Sequence, residues 1–115
     1  MYKLFKKRKF PRDEDGDVLH ELDKYGCDFT VEQTVEFVID VPNESSGKQV
    51  LEALKTEGYT RCELDHDAEE ELWTVYCFID MMLSYEGIVE IQNKLRDLVH
   101  PLDGEIDGWG VGLEE

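Results

Sequence analysis

Two hydrophobic periods alternate along this chain in an order that few folds can accommodate. Residues 34–41 alternate apolar and polar positions, which predicts a strand with one buried side. After Pro42, apolar residues recur at helical spacing up to Gly58, and a second helical pattern runs from Ser84 to Pro101. The sequence predicts three further strands, over residues 59–65, 72–82 and 106–113.

The resulting order, β-α-β-β-α-β, contains one hairpin and two crossovers. This is the split β-α-β, or ferredoxin-like, arrangement. We therefore expect an α+β sandwich in which both main helices cover one side of a four-stranded antiparallel sheet. Residues 66–71 are predicted to form the hairpin loop. Strand 72–82 is apolar on both sides, so we place it in the centre of the sheet.

Polar residues before each helical pattern predict the helix N-caps. A turn over residues 13–17 is expected to precede a short extra N-terminal helix that ends at Gly26. The expected caps are Asp15 or Asp17 for the extra helix, Asn43 or Ser45 for the second helix and Ser84 for the third.

Charge is divided unevenly along the sequence. Six of the 12 Lys and Arg residues lie in residues 1–12, whereas all 28 Asp and Glu residues lie from Asp13 onward. We expect residues 1–12 to form a basic tail and residues 13–115 a single domain, whose six cations and 28 carboxylates give a net charge of −22. Phosphate backbones repel such a domain, so we expect no direct nucleic-acid binding but a basic protein partner. The other explanation is that the charge only keeps the protein soluble.

The last predicted strand carries the most specific motif, G-E-I-D-G-W-G-V-G over residues 104–112. One side of this strand is expected to hold Gly108, Gly110 and Gly112, and the other Asp107, Trp109 and Val111. Successive glycines on one side are typical of a close backbone approach or a bulge. Trp109 is either a core anchor or an exposed partner contact, and we favour the core.

This motif resembles the closing signature of the RraB family, the regulators (inhibitors) of ribonuclease E. Further features fit the family in the same order: D-E-D-G-D at 13–17, the strand and proline at 34–42, L-x-x-x-G-Y at 54–59, the strand led by Trp73, and the passage from Met81 to Ile88. The resemblance covers residues 13–113. It implies a bacterial α+β protein that binds the endoribonuclease and reduces RNA cleavage without catalysis of its own.

An acidic run beside Trp73 is suited to contacting arginines of a partner, although such a run is more often only a solvated loop. Together with the glycine-rich strand, it supplies our tentative protein-binding residues. These are Asp67, Glu69, Glu70, Glu71, Trp73, Asp107, Gly108, Trp109 and Gly110.

No catalytic or metal-binding residue is predicted. Residues 103–114 partly match a calcium loop, but Glu105 stands where Asp or Asn is usual and the same residues are predicted to form a strand. Cys62 and His66 supply only part of a closed zinc site. The serines are placed as helix caps, and no histidine accompanies a nucleophile in a recognisable pattern. We expect no cofactor and no enzymatic activity.

Two other functions stay open, as does the oligomeric state. A ferredoxin-like module can sense an amino acid or similar small molecule at a dimer interface. Alternatively, the basic, aromatic tail could attach to a membrane surface, although its charge of +6 must act against −22 nearby. No apolar run reaches the ~20 residues of a membrane span. Three widely spaced cysteines without a C-x-x-C predict reduced thiols and a cytoplasmic location.

Overall fold

Four antiparallel strands form one sheet, and the helices pack against one side of it. The computed structural model describes residues 9–111. Its elements are α1 (Glu14–Lys24), β1 (Glu32–Val41), α2 (Glu44–Thr56), β2 (Cys62–Asp67), β3 (Leu72–Met82), α3 (Tyr85–Val99), a 3-10 helix (His100–Leu102) and β4 (Glu105–Val111). The strand order is β2-β3-β1-β4, with every neighbouring pair antiparallel. The predicted ferredoxin-like α+β fold with an extra N-terminal helix is therefore confirmed.

Apolar side chains on one side of the sheet form the core together with the helices. Alternate residues of β1 are fully buried, as the period-two pattern predicts, and so are Val75 and Cys77 of β3. The fully buried core residues are Leu19, Val35, Phe37, Ile39, Val50, Leu54, Val75, Cys77, Ile88, Leu95 and Val99. Burying a large aliphatic or aromatic side chain contributes about 1.5–3 kcal/mol. These contacts fix the helices on one side of the sheet.

The N-caps of α2 and α3 agree with the sequence, whereas that of α1 does not. Asn43 Oδ1 accepts a hydrogen bond from Ser46 N at 2.8 Å, and Ser84 Oγ accepts one from Gly87 N at 3.0 Å. The prediction that Asp15 or Asp17 caps α1 was wrong, because Asp13 caps it and residues 14–17 form its first turn.

Both carboxylate oxygens of Asp13 explain this choice of cap. Oδ1 accepts a hydrogen bond from Gly16 N at 2.8 Å, and Oδ2 accepts one from the hydroxyl of Tyr85 at the start of α3. A Cβ at Gly16 would lie 1.8 Å from the carbonyl oxygen of Pro11, so the chain before the helix passes close to its first turn. The tertiary contact with α3, which the local sequence does not reveal, favours Asp13.

Strand boundaries differ from the prediction mainly where a helix ends. β3 has the predicted bounds, but β1 begins at Glu32 and β2 spans Cys62–Asp67 rather than 59–65. Tyr59 is not yet in the strand because its N–H bonds to Leu54 O at 2.9 Å and closes α2 after Gly58, whose φ is +103°. The hairpin turn is correspondingly shorter than predicted and covers residues 68–71. Residues 112 and 113 of the predicted last strand lie outside the described residues.

The residues before α1 contact the domain. Lys9 Nζ lies 3.8 Å from Asp23 Oδ1, and the rings of Phe10 and Phe29 lie 5.5 Å apart between centroids. Residues 1–8 of the predicted basic tail lie outside the described residues. Among residues 9–111, no helix has both the length and the apolar character that crossing a membrane requires.

Candidate protein-binding site

A β-bulge sets the geometry of the glycine-rich strand β4. Trp109 pairs with Phe37 and Gly108 with Val38, but the next residue of β1, Ile39, pairs with Ile106, so Asp107 is the extra residue. The bulge that the glycines predicted is therefore present. Because one residue is inserted, Ile106 and Trp109 lie on the helix side of the sheet, and Asp107 does not continue the strict alternation expected for it.

The glycines of β4 leave the other side of the strand bare. Gly108 and Gly110 pair with Val38 and Glu36, so they share one side of the strand, as predicted, and this side is opposite the helices. A Cβ built at either glycine meets no atom within 4 Å among residues 9–111. The close backbone approach that the sequence suggested is thus not made within the described part of the chain. The surface of β4 at these two positions is open among residues 9–111.

Trp109 connects β4 to two helices. Its Nε1 donates a hydrogen bond to Asp15 Oδ1 of α1 at 2.9 Å, and Gln92 Nε2 of α3 donates to Asp15 Oδ2 at 2.9 Å. The Trp109 ring is partly buried against the core, and Gln92 is buried. An open groove of about 380 Å³ lies beside this junction, and Asp107, Gly108 and Trp109 line it.

The predicted acidic loop is the turn between β2 and β3. Asp67 Oδ1 accepts hydrogen bonds from Glu69 N at 3.0 Å and Glu70 N at 3.2 Å, so Asp67 shapes the turn. Glu69, Glu70 and Glu71 are exposed. The hairpin therefore presents three carboxylates from a turn that the fourth one holds in place.

Trp73, which follows this turn, stacks on another ring. Its centroid lies 3.9 Å from that of His66 and the two planes differ by 4°. Trp73 pairs with Val41, on the helix side of the sheet. The imidazole of His66 therefore covers one surface of the Trp73 indole.

The two predicted groups of binding residues do not meet in one cluster. The hairpin joins β2 and β3, whereas the glycine motif lies in β4, and β1 separates β3 from β4. Along β1, Trp73 pairs with Val41 but Trp109 pairs with Phe37, four positions away. They are two separate candidate contacts.

A larger surface, which no sequence motif indicated, is the side of the sheet that no described helix covers. We call it the open face. Its middle part consists of Glu36, Val38 and Asp40 of β1, Glu63, Asp65 and Asp67 of β2, Thr74, Tyr76 and Phe78 of β3, and Glu105, Gly108 and Gly110 of β4. None of these residues is buried. The alternation of carboxylates along β1 and β2 was visible in the sequence, but only the strand order and register put them side by side.

The open face carries a concentrated negative charge. Partial burial is the main cause that raises the pKa of Tyr76. The negative charges of nearby carboxylates raise it further, and these are Asp65, Glu36, Asp40 and Asp67. Desolvation is the main cause that raises the pKa of Asp40, and the negative charges of Asp107 and Glu105 raise it further. Such shifts are expected where like charges accumulate.

Little positive charge offsets these carboxylates. Arg61 lies beside Phe78, whose N–H donates to the Arg61 carbonyl oxygen at 2.9 Å. Its side chain forms an ion pair with Asp80, which is on the same side of the sheet, with Nη1 and Oδ2 3.0 Å apart. Among residues 9–111, no ion pair engages six further carboxylates of the open face, which are Glu36, Asp40, Glu63, Asp65, Asp67 and Glu105.

The residues considered for metal binding are placed elsewhere. Cys62 pairs with Cys77 across β2 and β3, with the two sulfurs 3.2 Å apart, while His66 stacks on Trp73. Glu105 and Asp107 of the calcium-like motif lie in strand β4. Within residues 9–111, no group of three or more His, Cys, Asp or Glu side chains could hold a metal ion.

Comparison with known proteins gives one result that bears on function. The family model described as RraB, Regulator of ribonuclease activity B, matches residues 12–111. No curated protein matches the chain. The matched range contains both the hairpin and the glycine-rich strand, as well as the whole open face.

Proposed function

Because this chain belongs to the RraB family of regulators of ribonuclease activity, we propose that it binds an endoribonuclease of the ribonuclease E type and reduces its cleavage of RNA. The family match over residues 12–111 carries this proposal. In our proposal the protein acts by binding alone, without catalysis or a cofactor, and it does so in the cytoplasm. Its binding domain is residues 13–115, preceded by the basic segment 1–12, of which Lys9 and Phe10 contact the domain.

The charge of the domain supports a mechanism by competition. Residues 13–115 carry a net charge of −22 and would attract a basic, RNA-binding stretch of the nuclease. While the domain occupies that stretch, RNA phosphates are displaced, or the nuclease cannot assemble with its other partners. The domain itself repels RNA for the same reason. We propose the hairpin carboxylates of residues 67–71, Trp73 and residues 107–110 as contacts.

The test is an inhibition assay with the purified nuclease of the source organism and a fluorescent single-stranded RNA. We expect the cleavage rate to fall as the protein is added, and binding to the nuclease to weaken between low salt and about 0.5 M salt, where surface attraction is largely screened. RNA alone should show no binding to the protein. Unchanged cleavage at saturating protein would contradict the proposal, and salt-independent binding would contradict its electrostatic part.

The groove between α1, α3 and β4 favours a second candidate, an amino-acid sensor. Its volume is about 380 Å³, and it has Asp107 for an ammonium group and Arg96 for a carboxylate. A specific ligand that binds the folded protein raises its melting temperature by mass action. A thermal-shift screen with amino acids and related metabolites therefore distinguishes the sensor from the nuclease regulator.

A further inference from the structure

The open face has the side chains of Val38, Tyr76 and Phe78 at its centre and carboxylates around them. We infer that it is the docking surface for an extended, arginine-containing segment of the partner protein. This inference rests on the proposed function and specifies where the partner binds and which side chains it presents. Glu69, Glu70 and Glu71 of the turn and the ring of Trp109 on the helix side then lie outside the main contact.

The centre of the open face is suited to a guanidinium group. Tyr76 pairs with Val38 and Phe78 pairs with Glu36 of the neighbouring strand β1. Both rings therefore lie on the open face of the central strand β3, and neither is buried. A guanidinium can stack on such a ring and still direct its N–H groups to a neighbouring carboxylate. A lysine ammonium lacks the planar fork that makes the two-pronged contact.

The carboxylates are spaced along the strands on both sides of this centre. Glu36 and Asp40 lie on β1, one on each side of Val38, and Glu63 and Asp65 lie on β2, opposite Tyr76 and Thr74. Like charges held this close repel one another, so a cationic partner relieves a repulsion that already exists in the free protein. Because successive residues of an extended chain point to opposite sides, alternate arginines of one segment could reach several carboxylates.

The glycines allow the segment to lie across β4. At Gly108 and Gly110 the strand has no side chain, and nothing within 4 Å fills the Cβ positions among residues 9–111. A bare strand beside the carboxylate of Glu36 gives a partner backbone room to approach the sheet. In this proposal the glycines serve partner binding, a role that core packing does not explain.

Charge also decides between possible occupants. A second copy of the chain would place one carboxylate-rich open face against another, which is repulsive unless cations intervene. A nucleic acid is repelled in the same way. A basic polypeptide is the occupant whose charge complements this surface.

The test compares two triple variants that remove the same amount of charge. The first, E36Q/D40N/D65N, changes the open face. The matched control, E52Q/E90Q/D97N, removes three exposed carboxylates from helices α2 and α3. The probes are a synthetic peptide of alternating arginine and leucine, the same peptide with lysine, and the whole ribonuclease. Thermal unfolding first establishes that both variants are folded.

We expect the open-face variant to bind the arginine peptide about tenfold or more weakly than the unmodified protein, and the control variant to change affinity by less than about threefold. Tyr76→Leu keeps an apolar side chain but removes the ring, so it should reduce the preference for arginine over lysine. Equal losses in the two triple variants would show that only net charge matters and would overturn the proposal. Sedimentation of the free protein as a dimer that Phe78→Ser dissociates would assign the open face to a second copy and would also overturn it.

The ribonuclease probe separates this inference from the proposed function. If the ribonuclease binds the open-face variant and the unmodified protein equally well, the nuclease regulator stands but its docking surface is elsewhere. If the ribonuclease binds neither, the proposed partner is wrong, while the peptide measurements still decide whether the open face selects arginine.

Discussion

The indole Nε1 of Trp109 donates a hydrogen bond of 2.9 Å to the carboxylate of Asp15, a residue 94 positions away in the sequence. The bond joins the edge strand β4 to the first helix. The other oxygen of Asp15 accepts a hydrogen bond of 2.9 Å from the buried Gln92 of α3. One carboxylate therefore holds three elements together, and each partner can be tested separately.

Trp109→Phe should lower the free energy of unfolding by about 1–2 kcal/mol, because it keeps an aromatic ring but removes a hydrogen bond to a charged acceptor. Trp109→Ala should lower it by about 3 kcal/mol or more, since the packing of the partly buried ring is also lost. Urea unfolding followed by circular dichroism measures both. A Trp109→Ala variant with unchanged stability but no partner binding would instead place the indole in the interface.

Asp15→Ala should cost about 1–3 kcal/mol, because the Gln92 amide would lose its acceptor within a buried environment. Asp15→Asn should cost less, as the amide oxygen can still accept one of the two bonds. The matched control is Glu14→Gln in the same helical turn, which removes a carboxylate at the helix N-terminus without touching this junction. Chemical denaturation of the three variants compares these losses, and equal effects of Asp15→Ala and Glu14→Gln would show that only the helix dipole matters.

The sequence located strands from local patterns, but the cap of α1 depends on contacts at this junction and between α1 and α3. The period-two pattern located β1 and its buried side, because Val35, Phe37 and Ile39 can be buried together only in an extended chain, and a continuous apolar run located β3. Neither pattern could choose among the acidic residues before α1. That choice depends on the bond from Tyr85 to Asp13 and the use of Asp15 by Trp109 and Gln92, contacts that exist only once α1, α3 and β4 are together.

Of the candidate binding surfaces, the acidic turn could be predicted from the sequence, whereas the open face could not. Exposure of the acidic turn followed from its composition, since a run of carboxylates is solvated. The open face did not, because Asp40, Asp65 and Glu105 become neighbours only through the strand order and the bulge at Asp107. Pairing between strands that are distant in sequence is not encoded in any local pattern.

The hairpin carboxylates should affect association more than stability. Replacing Glu69, Glu70 and Glu71 with Gln should change the free energy of unfolding by no more than about 0.5 kcal/mol each, because the side chains are exposed. If the hairpin helps to capture a basic partner, the association rate and its salt dependence should fall, as surface charges act mainly on encounter. Stopped-flow binding to the ribonuclease measures the rate. An unchanged rate would remove the hairpin from the interaction.

Asp67 differs from its neighbours, since two backbone N–H groups of the turn bond to its side chain. Asp67→Ala should therefore cost about 0.5–1.5 kcal/mol of stability, whereas Asp67→Asn keeps an oxygen acceptor and should cost less. Thermal unfolding of the two variants makes the comparison. Equal stability of both would show that these bonds contribute little to the turn.

The three cysteines should react with iodoacetamide in a defined order. A hydrogen bond with Cys77 lowers the pKa of Cys62, while the same contact and burial raise that of Cys77. Burial is the main cause that raises the pKa of Cys27, and the negative charges of Asp28 and Asp23 raise it further. Because the thiolate is the nucleophile, at about pH 8 Cys62 should be alkylated before Cys27, and Cys77 should react only on unfolding.

Peptide mass spectrometry over time gives the order of alkylation. Cys77→Ala is the control, because it removes the hydrogen bond and should slow the reaction of Cys62 relative to Cys27. Faster alkylation of Cys27 in the unmodified protein would contradict the prediction.

Asp40→Asn should raise stability and lower partner affinity at neutral pH. In the folded protein, desolvation and the carboxylates of Asp107 and Glu105 raise the pKa of Asp40, so its ionised form opposes folding. The folded state binds this proton more tightly than the unfolded chain does. The variant's advantage in stability should therefore be largest above the raised pKa, shrink as the pH falls through it, and vanish below the pKa of Asp40 in the unfolded chain. Denaturation at a series of pH values tests this sign.

Binding should show the opposite dependence, since a cation beside Asp40 favours its ionised form. Affinity for the arginine peptide should fall as the pH is lowered through the raised pKa of Asp40, and this loss should be smaller in Asp40→Asn, which has no proton to gain at that position. Glu52→Gln, an exposed carboxylate on α2, is the control for net charge and should show the pH profile of the unmodified protein. If Asp40→Asn instead lost both stability and affinity, Asp40 would stabilise the sheet rather than be held in a repulsive position for binding. The gain in one property with the loss of the other is what distinguishes a binding residue from a structural one.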